Sequence, residues 1–277
     1  MRSIRSGALF ISLAILATSA PAAGKPSTAV PGVSLLGEPI TMPGLERKRQ
    51  LRLYLPPGYA SSNKRYPVLY MHDGQNLFDN ATAYAGEWQV DETLDALAKA
   101  GKLELIVVGI DNGAEKRMTE LNAWDNPQFG AGENRAYTDF IVKTVKPMID
   151  KQYRTLPDRA NTAIMGSSMG GLASHYALVQ YPEVFSKAGV LSPAYWTAQP
   201  SFAFVASKPT PKDARVFMLM GGKEGPQMNA DVKRMAEVVR ATGHPAENTM
   251  LKIVPQAEHN EAFWASELRE ALLWMFR

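Results

Sequence analysis

The stretch Gly166-Ser167-Ser168-Met169-Gly170-Gly171 restricts this chain more than any other. The apolar run Thr162–Met165 before it reads as a buried strand, and Leu172–Leu178 after it reads as a helix. A strand passing into a helix through G-x-S-x-G demands a turn so tight that the central serine takes a strained backbone. Only small neighbours avoid a clash there, which accounts for Gly166 and Gly170. The Ser168 hydroxyl then stands clear of the sheet, and the Met169 amide points into the same space from a helix N-terminus. A glycine-rich turn with incidental serines is the plainer alternative, but the flanking strand and helix favour a nucleophile at Ser168.

The rest of the chain supplies the frame that such a turn needs. Tyr66–Met71, Leu105–Ile110, Ala188–Leu191, Arg215–Met220 and Met250–Val254 read as strands. Helical spacing marks Trp88–Ala100, the stretch from Tyr137 to Ile149 (kinked or shortened by Pro147), Val232–Val239 and Glu261–Phe276. Alternating strands and helices imply a mainly parallel central sheet with helices on both faces. Leu51–Leu55 alternates polar and apolar and is expected as a half-exposed edge strand. The polar stretch Glu115–Glu133 is too long for a plain connector, and Tyr195–Pro211, with three prolines, is expected as a lid or loop over the site. No repeat or interdomain linker interrupts residues 33–277, which are expected to form one domain.

Arg2 and Arg5, the apolar run Ala8–Leu16 and the exit Ala20-Pro21-Ala22 form a secretory signal peptide over residues 1–22. Its apolar run is too short for a stable membrane anchor, and the absence of cysteine excludes a lipid-anchored form. A periplasmic or secreted protein is therefore expected, with residues 23–32 as a flexible lead-in and no membrane span after cleavage. Removing the two leader arginines from 30 basic and 27 acidic residues leaves a charge of about +1, so nucleic acid is not an expected partner. The basic cluster Arg47-Lys48-Arg49 with Arg52 reads as the solvated face of a strand.

In a parallel sheet, chemistry collects at the carboxyl ends of the strands. Ser168, Glu224 (after Gly221-Gly222-Lys223) and His259 (after Pro255–Glu258) each lie just past such an end. They follow one another in the order nucleophile, acid, histidine that α/β-hydrolases use. A serine hydroxyl is a weak nucleophile that needs a base within reach, and the base needs an orienting partner. Of the four histidines, His175 reads as packed inside a helix, His244 as a surface residue, and His72 as out of order for the base. His259 remains. Glu224 is the first choice of acid, Asp231 and Asp213 are alternatives, and a serine–histidine dyad needs none of them. An oxyanion hole would draw on the amide of Met169 and on that of Gln75, where Gly74 lets the backbone turn. The scattered histidines and the lack of a phosphate-binding glycine loop give no reason to expect a metal or a cofactor.

The stretches Tyr54–Tyr59, Tyr66–Gly74, Val108–Asn112, Gly166–Gly171 and Glu258–Glu261 together resemble the "Putative esterase" family of α/β-hydrolases. Enterochelin esterases, feruloyl and acetyl xylan esterases and S-formylglutathione hydrolase belong to it. The resemblance implies an α/β-hydrolase fold, a carboxylic-ester hydrolase, Ser168 and His259 as the catalytic pair, and Glu224 where the acid falls. The loop reads His72-Asp73-Gly74-Gln75, closer to the siderophore-esterase branch than to the His-Gly-x-Gly-Gly of many esterases. Two substrate classes follow as expectations. A feruloylated or acetylated glycan would favour an aromatic wall from Trp124, Tyr195, Trp196 and Trp264; an anionic ferric siderophore would favour Arg117 or Lys223, with Asp73 close by. A catalytically dead binding protein and an acyltransferase are the other readings of the same residues.

Overall fold

Apolar runs rich in β-branched residues become strands in a computed structural model that describes residues 25–277. The expected signal peptide lies outside the described residues. In chain order the strands are β1 (Val33–Leu35), β2 (Ile40–Met42), β3 (Arg47–Arg49), β4 (Leu51–Tyr54), β5 (Val68–His72) and β6 (Ile106–Ile110), followed by β7 (Thr162–Ser167), β8 (Lys187–Leu191), β9 (Arg215–Gly221) and β10 (Thr249–Val254). The helices are α1 (Val90–Lys99), α2 (Arg117–Glu120), α3 (Asn134–Phe140), α4 (Lys146–Gln152), α5 (Met169–Gln180), α6 (Pro200–Ser207), α7 (Pro226–Ala241) and α8 (Glu261–Met275).

Eight strands form one sheet in the order β1-β4-β6-β5-β7-β8-β9-β10, and β2 pairs with β3 alone. From β6 to β10 every pairing is parallel, while β1 and β4 join antiparallel at one side. The strands alternate between two cores. On β9, Val216, Met218 and Met220 face the core that includes Leu172 and Ala177 of α5 and Val232 and Met235 of α7. Phe217 and Leu219 face the other, with Leu94 of α1 and Leu268 and Leu272 of α8. Burial on both faces explains why these strands read as unbroken apolar runs. The arrangement is an α/β-hydrolase fold. After β5 the chain first adds β6 on one side and then β7 on the other. The crevice between the carboxyl ends of β5 and β7 is thus the topological switch point where open α/β sheets bind ligands.

Four expectations change at this level. Leu51–Tyr54 is an interior strand paired on both sides. Its polar position is satisfied internally, because Arg52 forks onto Asp111 at 2.7 and 3.1 Å. The basic cluster likewise does not simply face solvent. Arg49 is buried and reaches both oxygens of the buried Glu120 at 2.7 Å, while Arg47 spans Glu120 and Glu133. The segment from Tyr195 is a short turn followed by α6, with Tyr195, Phe202 and Val205 buried, so it packs as structure where a lid was expected. The described part of the expected flexible lead-in is docked at three residues: Ser27 and Thr28 bond Asp79 and Glu87, and the Val30 amide bonds Asp91. Near Pro147 the helix widens into a π turn over Ile141–Val145 before α4, which accommodates the missing proline N–H.

Glu120 is the shared anion of two arginines in the interior, so removing it strands buried positive charge. Glu120→Ala should lower the unfolding free energy by about 3–5 kcal/mol. Urea denaturation checks this; a loss below about 1 kcal/mol would show the pair to be dispensable.

Candidate active site

β7 ends at Ser167, and Ser168 turns the chain into α5 with φ 56° and ψ −118°. A positive φ is costly for a serine. Here it is over-determined: the Ser168 amide donates to Leu191 O at 2.9 Å, and its carbonyl accepts from Leu172 and Ala194 at 3.1 and 3.0 Å. The elbow glycines have steric reasons. A Cβ on Gly166 would lie 2.9 Å from the Gly170 carbonyl carbon and from the His72 ring, and one on Gly171 would lie 2.6 Å from Leu191 O. The Met169 amide opens α5, so it has no acceptor within the helix.

β9 ends at Gly221, and the chain folds back so that Glu224 is anchored from two sides. Its Oε1 accepts from the Gly221 amide at 2.7 Å and from Ser192 Oγ at 2.6 Å. A side chain at Gly221 would collide with Glu224 Oε1 at 2.7 Å, so glycine is required. The other oxygen, Oε2, lies 2.7 Å from His259 Nδ1, and the carboxylate is fully buried. Nδ1 is thereby assigned to the carboxylate and Nε2 is the ring nitrogen left for other partners. Trp264 packs perpendicular to the His259 ring, with centroids 5.0 Å apart and planes at 88°, and donates Nε1–H to Ser192 Oγ at 2.9 Å. Ser192 is buried with φ 43°. It links Trp264 to Glu224.

Ser168 and His259 line one cavity of about 600 Å³, together with Asp73, Gln75, Arg117 and Trp264. Tyr84, Trp88 and Glu261 also line it. Asp73 stands at φ 56° just past β5, where Arg117 grips it at 2.6 and 2.8 Å and Asn112 adds a bond at 2.7 Å. Burial would raise the Asp73 carboxyl, but Arg117 and Asn112 outweigh it and hold the group below its ordinary value. Gly74–Asn76 form a tight turn whose internal bonds use the amides of Asn76 and Leu77, leaving that of Gln75 outside the ladder. The Gln75 side chain is committed elsewhere, accepting from the Asn112 amide at 3.0 Å.

Several sequence expectations separate here. Asp231 bonds Gln227, and Asp213 pairs with Arg159, so the alternative acids are engaged away from His259. His175 is packed as expected, with Nδ1 2.8 Å from the Tyr195 hydroxyl. His244 is buried rather than superficial, held by Thr249 and Ala214 O. Of the proposed aromatic wall only Trp264 reaches the cavity. Trp124 packs edge-on against Tyr176 and Phe204, Trp196 is exposed beside Phe129, and Tyr195 is internal. Lys223 is exposed outside the cavity. The sequence reading missed Trp88, Tyr84, Ser192 and Glu261. In sequence Trp88 marks only the start of a helical pattern, and Ser192, although it lies just past β8 as the candidate residues lie past their strands, carries no motif of its own.

With this geometry in view, residues 43–275 match the family described as "Putative esterase". The chain belongs to this family. It is an esterase. It is 27% identical over 245 residues to the uncharacterized protein YbbA of Bacillus subtilis, covering 82% of this chain and 92% of that one. It is 26% identical over 200 residues to an endo-1,4-beta-xylanase/feruloyl esterase of Xylanibacter ruminicola, covering 70% of this chain but only 25% of that larger protein. In fold it is similar to an IroE-like serine hydrolase from Shewanella oneidensis (TM-score 0.72, 23% identity, 88% and 80% covered). It is also similar to a ferulic acid esterase (TM-score 0.67, 19% identity, 88% and 98% covered).

The esterase also carries two neutral interior histidines. Burial pushes His72, whose Nδ1 meets Tyr137 at 2.9 Å, and His175 each down to about 4. The unfolded chain takes up protons near pH 6.5 that the folded chain refuses until about 4. The stability each neutral ring contributes is therefore complete above pH 6.5 and is lost as pH falls toward 4. In His175→Gln the pH dependence of unfolding free energy over that window should be shallower than in the wild type by about 1 kcal/mol per pH unit. Urea melts at pH 6.5 and 5.0 measure it, and parallel slopes for the two proteins would contradict the buried neutral ring.

Proposed function

We propose that the esterase is a serine carboxylic-ester hydrolase working through an acyl-enzyme on Ser168. The observation that carries this is the cavity shared by a strained Ser168 and by His259, whose Nδ1 is held 2.7 Å from the buried Glu224. His259 Nε2 takes the Ser168 proton as the hydroxyl attacks the ester carbonyl, and returns it to the leaving alcohol. The same nitrogen then activates water to cleave the acyl-enzyme. Glu224 keeps the ring in the needed tautomer and stabilises the imidazolium. The amides of Met169 and Gln75 receive the charge that develops on the carbonyl oxygen.

For the substrate, the charges around the cavity favour a neutral ester of an aromatic acid or a glycan over an iron-loaded catecholate. Arg117 is neutralised by Asp73, and Glu261 adds a negative charge to the wall. A polyanionic ligand would meet repulsion there, whereas Trp88 and Trp264, packed on each other at 5.6 Å, give the wall an apolar lining. The basic, apolar and A-x-A pattern of residues 1–22 supports a periplasmic or secreted enzyme with residues 23–277 as the mature chain and a single catalytic domain from 33.

Three experiments test this reading. A fluorophosphonate probe should label the wild type and leave folded Ser168→Ala unlabelled; equal labelling of both would end the proposal. Glu224→Ala should cut kcat by about 10²–10⁴-fold at pH 7, by analogy with loss of a triad acid. Near-wild-type turnover would instead leave a dyad. In substrate preference, feruloyl sugars should exceed ferric siderophore by at least tenfold in kcat/KM, measured side by side. The reverse ranking would discard the charge argument.

A further inference from the structure

Three carboxylates meet behind the cavity wall, at the start of α1. One oxygen from each of Glu87, Asp91 and Glu92 lies within 4.8 Å of the others. Glu87 Oε1, Asp91 Oδ1 and Glu92 Oε2 are all shielded from solvent and meet no hydrogen-bond donor among the described residues. Asp91 as a whole has zero exposure. Acidic side chains in a first helical turn are ordinary, since the helix dipole favours them. What is not ordinary is a trio of enclosed oxygens with nothing to compensate them. Each buried charge of this kind costs several kcal/mol unless it is paired.

The remaining oxygens show that the cluster is built. Glu87 Oε2 accepts from Thr28 Oγ1 at 2.8 Å, and Asp91 Oδ2 accepts from the Val30 amide at 2.9 Å. These bonds hold one oxygen of Glu87 and one of Asp91 and leave the other oxygen of each without a donor. Between the two residues, Gln89 takes φ 53°, which folds Glu87 back over the first turn. A separation of up to 4.8 Å between ligand oxygens is what two Ca–O bonds of about 2.3–2.6 Å each can span. The donor set is oxygen-only, which suits a hard cation rather than zinc or copper.

We propose that Glu87, Asp91 and Glu92 bind a calcium ion that fastens the N-terminal segment and α1 to the wall of the catalytic cavity. A divalent ion leaves the trio with one net negative charge, in place of three like charges in close quarters. In its absence, burial and then the neighbouring Glu92 push the Asp91 carboxyl above its ordinary value. A proton shared within the cluster is therefore the competing way to satisfy the oxygens. Trp88 follows Glu87 directly, lines the cavity and packs on Trp264, so the ion would stiffen one wall of the site. The scarcity of histidine that argued against a metal has no bearing on an all-carboxylate site.

The mature protein is stripped with chelator and dialysed to equilibrium against labelled calcium, in parallel with thermal melts in calcium, in magnesium and in chelator. One calcium per chain is expected, and a hundredfold excess over Kd should raise Tm by about 5–10 °C, reversibly with chelator. Terbium in the same site should show luminescence sensitised by Trp88. Asp91→Asn keeps an acceptor for the Val30 amide and should weaken calcium binding at least tenfold; Glu92→Gln is the second variant should the first not fold. No bound calcium at millimolar concentration would overturn the assignment. So would magnesium binding without calcium, undiminished binding in both variants, or a stabilised Asp91→Asn beside a wild type indifferent to cations, which is the signature of a shared proton.

Discussion

Ser168 holds a positive φ that costs an L-residue on the order of 1–3 kcal/mol, and the surrounding chain supplies the bonds that keep it there. Leu191 and Ala194, at and just past the end of β8, bond its amide and carbonyl, so the neighbouring parallel strand acts as the template for the turn. Gly166 and Gly171 are consequences of that template, because a Cβ on either would lie under 3.0 Å from Gly170 and His72 or from Leu191 O, and Gly170 is tight against His72 at 3.1 Å. The strain and the close packing require each other. If β8 moved away, the serine would relax; if a glycine gained a side chain, β8 could not approach.

A second layer of support is polar and lies beneath the cavity wall. The chain from Trp264 through Ser192 to Glu224 and His259 runs across the ends of β8, β9 and β10, so that the imidazole on its own loop is supported by groups from two other loops and one helix. Arg117 and Asp73 form a corresponding clamp beyond β5. Deeper still, Arg47 and Arg49 converge on Glu120, at the end of the same short helix that begins with Arg117. The polar stretch between β6 and α3 is thus a set of ion-pair partners for the first strands. Its length follows from having to reach both the cavity and the interior.

The sequence was most informative where local physics dominates. Periodicity located the parallel strands because burial on both faces leaves no room for polar residues, and the elbow was legible because only one backbone path fits its glycines. Ser168, His259 and Glu224 could be nominated from their places after strand ends, and His259 and Glu224 do meet. Reading failed where a polar side chain finds its partner far along the chain. Arg47, Arg49 and Arg52 suggested a solvated strand face, yet their partners lie 59 to 86 residues away. The aromatic wall failed for the same reason: Trp124, Trp196 and Trp264 are equivalent in composition, and only the packing of α8 against the sheet turns one of them into the cavity.

The sequence alone settled the alternation of strand and helix, the tight turn at Ser168 and the order of the residues nominated beside it, since each depends on neighbours within a few positions. Only the tertiary structure decided that β4 is interior, that Arg117 is spent on Asp73, and that three carboxylates at the start of α1 share one enclosed space. These are outcomes of long-range pairing, in which a charge is satisfied or stranded by whatever the fold brings against it, and nothing local to the charge records which.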